Sequence, residues 1–144
     1  MLKTMTGILA VLALLAGCAS LEPSPRDLQA VNIQSTPGMA VIYVMRSNPD
    51  LSYVPAQIAL NGNLLGVTHA GTYYRVEVPA GRHRLSGYGV DAGNITVDTQ
   101  AGRVYFVQQH VAGYWRSPTS HSSSYRLIDE AKARAVMAGA SRLG

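Results

Sequence analysis

Cysteine is almost absent from this chain. Cys18 stands alone in 144 residues, so no internal disulfide can form even in an oxidising compartment. Long apolar runs are missing too. A helix rising 1.5 Å per residue needs about 20 apolar residues to cross a hydrocarbon core of roughly 30 Å, and the run from Ile8 to Leu15, bounded by Thr6 and Gly17, is much shorter. Blocks of like charge are lacking. The formal net charge is +4, but Arg46, Arg75, Arg82, Arg84, Arg103, Arg116, Arg126, Lys132, Arg134 and Arg142 are spread along the chain, which removes the electrostatic footprint of a nucleic-acid binder. No Gly-x-Ser-x-Gly elbow is present. The four histidines, His69, His83, His110 and His121, have no second histidine or cysteine at ligand spacing, so no metal or other cofactor is expected. The acids Asp50, Glu77, Asp91 and Asp98 fall at scattered turns and strand faces with no visible pairing, so no catalytic residue is assigned.

The N-terminus has what a secretory signal needs: positive Lys3, the short apolar run, and small Ala16-Gly17 before Cys18. Residues 1–17 are therefore expected to be a removed signal peptide. Leu15-Ala16-Gly17-Cys18 resembles the lipobox of bacterial lipoproteins, which implies acyl chains on the sulfur and amine of Cys18. Burial of each methylene is worth about 0.8 kcal/mol, so several chains would anchor the protein firmly. Ala19, where an aspartate would signal inner-membrane retention, implies the outer membrane, with the domain facing the periplasm. Residues 18–38, with Pro23, Pro25 and Pro37, are expected to be a lipidated tether.

From Met39 the punctuation becomes regular. Gly62, Gly71, Gly81, Gly93, Gly102 and Gly113 recur every 9 to 12 residues between short runs rich in Val, Ile and Tyr, the pattern of an antiparallel sandwich or barrel. The apolar run Ala40 to Arg46 suits a central strand. Gln57 to Leu60 and Leu64 to Val67 flank an Asn61-Gly62 hairpin turn. Thr72 to Val78 alternates, with Tyr74, Val76 and Val78 on one face and Tyr73, Arg75 and Glu77 on the other. Arg82 to Val90, Ile95 to Thr99 and Val104 to Val111 bring the count to about seven strands, with Gly87 and Gly89 marking a bulge or bend. After a short piece from Ser124 to Leu127, a helix is expected over residues 129–142, with Glu130 and Arg134 four apart, covering a sheet edge or an end of the sandwich. Residues 39–144 are thus expected to be one mainly β domain, an antiparallel β-sandwich with a C-terminal helix.

The segments Ala40 to Arg46, Ile58 to Gly66, Gly71 to His83, Ala101 to Val107 and Leu127 to Glu130 together resemble bacterial lipoproteins of domain of unknown function family 2846, over roughly residues 39–131. The part from the Asn-Gly turn to the Pro79 to His83 turn is also similar to PEGA, a small β-sandwich module. The resemblance implies a PEGA or prealbumin-like sandwich and an envelope location, and no catalytic residue. Ala80 separates Pro79 from Gly81 where the family keeps a Pro-Gly pair.

His83 shares parity with Leu85 and is expected to hydrogen-bond the hairpin turn while packing partly inward. Most of the eight tyrosines suit half-buried strand surfaces, with Tyr73, beside Arg75 and Glu77, the best candidate for exposure. Residues 113–124 read as a surface loop in which Trp115 and Arg116 are residue types enriched at binding hot spots; the competing expectation is that Trp115 folds back on the core. The expected function is a non-enzymatic, lipid-anchored envelope protein that binds or scaffolds a protein partner or a peptidoglycan-type glycan through Trp115, Arg116 and Tyr73. The alternative is a small envelope hydrolase with an unrecognised active site.

Overall fold

The computed structural model describes residues 31–113 and 121–144. The elements are β1 (Ala40–Arg46), β2 (Ala56–Leu60), β3 (Asn63–Thr68), β4 (Thr72–Val78), β5 (Gly81–Gly87), β6 (Asn94–Thr99), β7 (Val104–Gly113), β8 (His121–Ile128), α1 (Glu130–Met137) and β9 (Ser141–Leu143). They form a five-stranded sheet, β8-β7-β1-β4-β9, and a four-stranded sheet, β3-β2-β5-β6.

Strand β1 organises both layers of the core. All seven of its residues are buried, as a nearly continuous apolar run requires when a strand is covered on both faces. Ala40, Ile42 and Val44 pack inward with Val78 and Val107 against Ile58, Leu85 and Val97 of the other sheet. Val41, Tyr43 and Met45 face outward and pack with Phe106 beneath Ala133 and Met137 of α1, with Val31 and Ile33 alongside. The expected alternation of β4 holds, since Tyr74 and Val76 join the inner cluster and Tyr73 the outer.

Four expectations are corrected. There are nine strands among the described residues rather than about seven. The larger sheet is mixed rather than antiparallel, because β1 pairs in parallel with β7, from Val41↔Val104 to Arg46↔Gln109, and β4 pairs in parallel with β9. The long path through β2 to β6 supplies the crossover that a parallel pair needs. The helix ends at Met137, not at residue 142. Residues 141–143 instead pair with Thr72–Tyr74, where the edge of β4 leaves backbone groups unpaired. Helix α1 therefore covers the outer face of the sheet, and β9 covers the edge.

The stretch expected as a loop to Ser124 is also shorter. Strand β8 begins at His121, paired with Gly113, because ladder pairing with the long β7 overrides the weak strand preference of serine. Asp129 caps α1 by accepting the Lys132 N–H at 2.8 Å. Arg134 and Glu130 pair at 2.8 Å one turn apart.

Candidate functional site

Strands β1 and β7 run toward the same end of the sandwich. There the β1–β2 loop (47–55) and the β5–β6 loop (88–93) meet the start of β8. Each loop carries one charged residue, Asp50 and Asp91, and both carboxylates have no exposed side-chain surface.

Arg46 closes β1 and, by parity with Ile42 and Val44, points inward, fully buried. Such a cation is tolerated only when paired and hydrogen-bonded. Its Nε meets Asp50 Oδ2 at 2.6 Å, its Nη1 donates to the carbonyls of Val54 (2.8 Å) and Thr68 (3.2 Å), and its Nη2 donates to that of Ser52. One guanidinium thus shapes the whole β1–β2 loop. Two residues beyond the last β1–β7 partners, the Val111 N–H donates to Asp50 Oδ2 at 3.0 Å, while His110 Nδ1 lies 3.1 Å from Oδ1. Burial would raise the Asp50 pKa, but Arg46, the Leu51 and Val111 N–H groups and His110 together hold it below the ordinary carboxylate value.

Asp91 is held differently. Its Oδ1 accepts the N–H groups of Ser123 (2.9 Å) and Gly93 (3.1 Å), its Oδ2 accepts the Ser123 hydroxyl, and His121 Nε2 lies 3.8 Å from Oδ2. The loop presses so closely on β8 that a Cβ at Gly93 would sit 1.7 Å from the Ser123 carbonyl oxygen. Between the two carboxylates runs Gln109, which accepts the Thr68 hydroxyl at 2.7 Å and donates to Ser123 Oγ (3.0 Å) and Tyr125 OH (3.3 Å). Burial pushes the Tyr125 hydroxyl up to about 12.

The network ties both loops to β7 and β8. In an activated-serine triad the histidine stands between hydroxyl and carboxylate, whereas here Asp91 stands between Ser123 and His121. Asp50 is already satisfied by a guanidinium and by backbone. Among the described residues, no three His, Cys, Asp or Glu side chains are grouped so as to hold a metal ion.

The outward surface of the two loops is uncharged. Leu51 is 74 % exposed, Tyr53 68 %, Tyr88 46 % and Val90 75 %. The Tyr88 N–H donates to the Gln57 carbonyl at 3.2 Å, which sets the second loop beside the base of the first. On the outer face, a groove of about 390 Å³ opens between α1 and the β1–β2 loop, lined by Ser47, Asn48, Gly71, Gln108, Lys132 and Val136 among others. The Gln108 side chain is fixed in its wall: its oxygen accepts Arg126 Nε (3.1 Å) and Nη2 (2.8 Å), and its amide donates to Ser47 Oγ at 2.7 Å.

Of the residues singled out from sequence, Tyr73 is half-buried on the outer face, its ring 6.2 Å from that of Tyr43. His83 behaves as expected, with Nε2 2.8 Å from the Pro79 carbonyl and Nδ1 2.9 Å from the Asn61 amide. Trp115, Arg116, Cys18, the expected signal peptide and residues 18–30 of the expected tether lie outside the described residues. The acids carried no visible pairing with one another in the sequence; in the structure Asp50 and Asp91 are each tied to groups of other kinds, which the sequence did not reveal. Their signal in the sequence was faint: an arginine ending an apolar strand with an aspartate four residues on, and Gly87 and Gly93 bracketing Asp91.

Comparison with known families finds one model, described as a protein of unknown function (DUF2846), that matches residues 36–121. The match takes in β1 through β7 and both buried carboxylates. No curated protein matches the chain.

Proposed function

The chain belongs to the DUF2846 family of proteins of unknown function, and from that premise we propose a lipid-anchored, non-enzymatic envelope protein that holds its ligand in the groove beside α1. The anchor is Cys18, the membrane is the outer one, and the domain faces the periplasm; these rest on the lipobox and on Ala19. The PEGA or prealbumin likeness belongs to the same proposal and rests on the Asn61-Gly62 hairpin and the Pro79 to His83 turn.

The observation that carries the proposal is the groove itself. Gln108 is locked by Arg126 and Ser47, and Asn48 and Lys132 line the same groove. A fixed amide and a second amide beside a cation suit a ligand rich in amides and carboxylates, such as a peptidoglycan-type glycan with its peptide, or an acidic segment of an envelope protein. Trp115 and Arg116 are proposed as further contacts on residue type alone.

Co-sedimentation of the full-length protein with purified peptidoglycan tests this. The wild type is expected to sediment without releasing soluble fragments, and Lys132→Glu and Gln108→Leu to weaken binding several-fold. Equal sedimentation of both variants would count against the groove, and release of soluble fragments above the protein-free control would turn the assignment toward the hydrolase.

A further inference from the structure

We propose that the loop end of the sandwich rests on the bilayer, with Leu51, Tyr53, Tyr88 and Val90 at the lipid interface. The proposal rests on the Cys18 anchor of the preceding section and adds an orientation to it.

Two loops at this end expose no charge. Loops 47–55 and 88–93 contain no charged residue except Asp50 and Asp91, and both carboxylates are turned inward with no exposed side-chain surface. What remains outward is two aliphatic tips, 74 % and 75 % exposed, and two tyrosines. Aliphatic side chains favour the acyl region, and tyrosine favours the headgroup level. The opposite end excludes itself. Around its turns lie the exposed Arg82–Asp98 pair, 76 % and 73 % exposed, together with exposed Arg84 and Arg103, and charged groups are costly to bring into lipid.

Tether length makes so small a surface sufficient. Twelve residues, Ala19 to Ala30, separate Cys18 from Val31. Over the thirteen steps from Cys18 to Val31, at 3.3–3.6 Å each, they reach no farther than about 47 Å. Val31 lies on the outer face, where its carbonyl accepts Arg134 Nη1 at 2.8 Å. A domain of this size has a radius of gyration near 13 Å, so it stays within about one domain width of the membrane. Short linkers give effective concentrations in the millimolar range, and at that level weak insertion of four side chains populates one orientation. The same four side chains, already partly covered, fall short of the roughly 800 Å² per partner that a stable protein interface buries, which disfavours a second copy as the occupant.

The test uses the full-length, acylated chain reconstituted into phosphatidylethanolamine and phosphatidylglycerol vesicles. An environment-sensitive fluorophore is placed on Val90→Cys, or on Leu64→Cys as a control; Leu64 is 51 % exposed beside the Asn61-Gly62 turn, away from the loop end. Flotation with the vesicles reports the anchor independently. The expected result is a chain that floats, with the Val90 probe quenched by bromolipid at least threefold more than the Leu64 probe and equally so at all protein-to-lipid ratios. A floating chain with equal quenching at both positions overturns the proposal while leaving the anchor standing. A Val90 signal that fades as protein is diluted in lipid identifies a second copy instead, and also overturns it. A chain that does not float removes the anchor, and the orientation falls with it.

Discussion

Asp50 and Asp91 do the same job by different means. Each withdraws the single charge of an otherwise uncharged loop and ties that loop to the β7–β8 hairpin. Asp50 answers a buried guanidinium, so the bond is between two ions removed from water. Asp91 answers a hydroxyl and two backbone N–H groups, so one ion is solvated by neutral dipoles. The first arrangement fails badly when half of it is lost, because the surviving ion remains buried. The second fails more gently, since a hydroxyl and two N–H groups are cheaper to leave unpaired than a cation.

The sharpest way to break this comparison is truncation. Asp50→Ala leaves Arg46 buried without its partner and is expected to lower stability by about 3–5 kcal/mol, against about 1–3 kcal/mol for Asp91→Ala. Urea unfolding of the two variants measures both, and equal losses would erase the distinction.

Titration sharpens it from the other side. The Asp50 pKa is depressed in the folded state, so its contribution is present above the ordinary value of 3.8 and is lost as pH falls below it. Tyr125, in the Asp91 network, is raised from 10.0 to about 12. Its contribution is full below pH 10 and disappears as pH passes about 12. A two-unit shift corresponds to about 3 kcal/mol at most, so Tyr125→Phe is expected to lose roughly 2–3 kcal/mol less than the wild type between pH 10 and 12. Asp50→Asn is expected to flatten the acid limb and leave the alkaline limb unchanged. Denaturant midpoints measured across the pH range report both.

The smallest effect belongs to a third pair. Arg82 and Asp98 meet at 2.9 Å in full view of solvent, where ion pairs contribute little. Arg82→Ala is expected to leave the melting temperature within experimental scatter.

Much of the frame was legible from residue order. The Ala40–Arg46 strand announces itself because a strand buried on both faces must be apolar throughout. The Asn61-Gly62 turn does so because both residues adopt positive φ, 52° and 83°, which few other pairs accept. The partners of the strands were not legible. A period of two says which face a residue takes but not which strand lies beside it, so the parallel β1–β7 pairing went unseen. Residues 141 and 142 read as helix because the unpaired edge of β4 that captures them lies about 70 residues away in the chain. Asp50 is equally remote from Val111, 61 residues on, and only the folded chain shows that it is spent as a tie. The groove combines a loop, a strand and a helix, and no local motif marks it.

The join between Val31 and Arg134 also has a mechanical side. Pulling on the N-terminus loads first the segment from Val31 to Thr36, which lies across the outer face and is held by Arg134 on the Val31 carbonyl, Tyr43 on the Gln34 N–H and Glu77 on the Thr36 hydroxyl. These contacts let go one at a time, as a zip does. Behind them stands β1, flanked along its length by β4 and β7, and force along that strand must shear two ladders at once. The segment is therefore a shock absorber in series with the stiffest part of the fold, and a tug on the N-terminal side of Val31 would be spent in peeling before it reached the core.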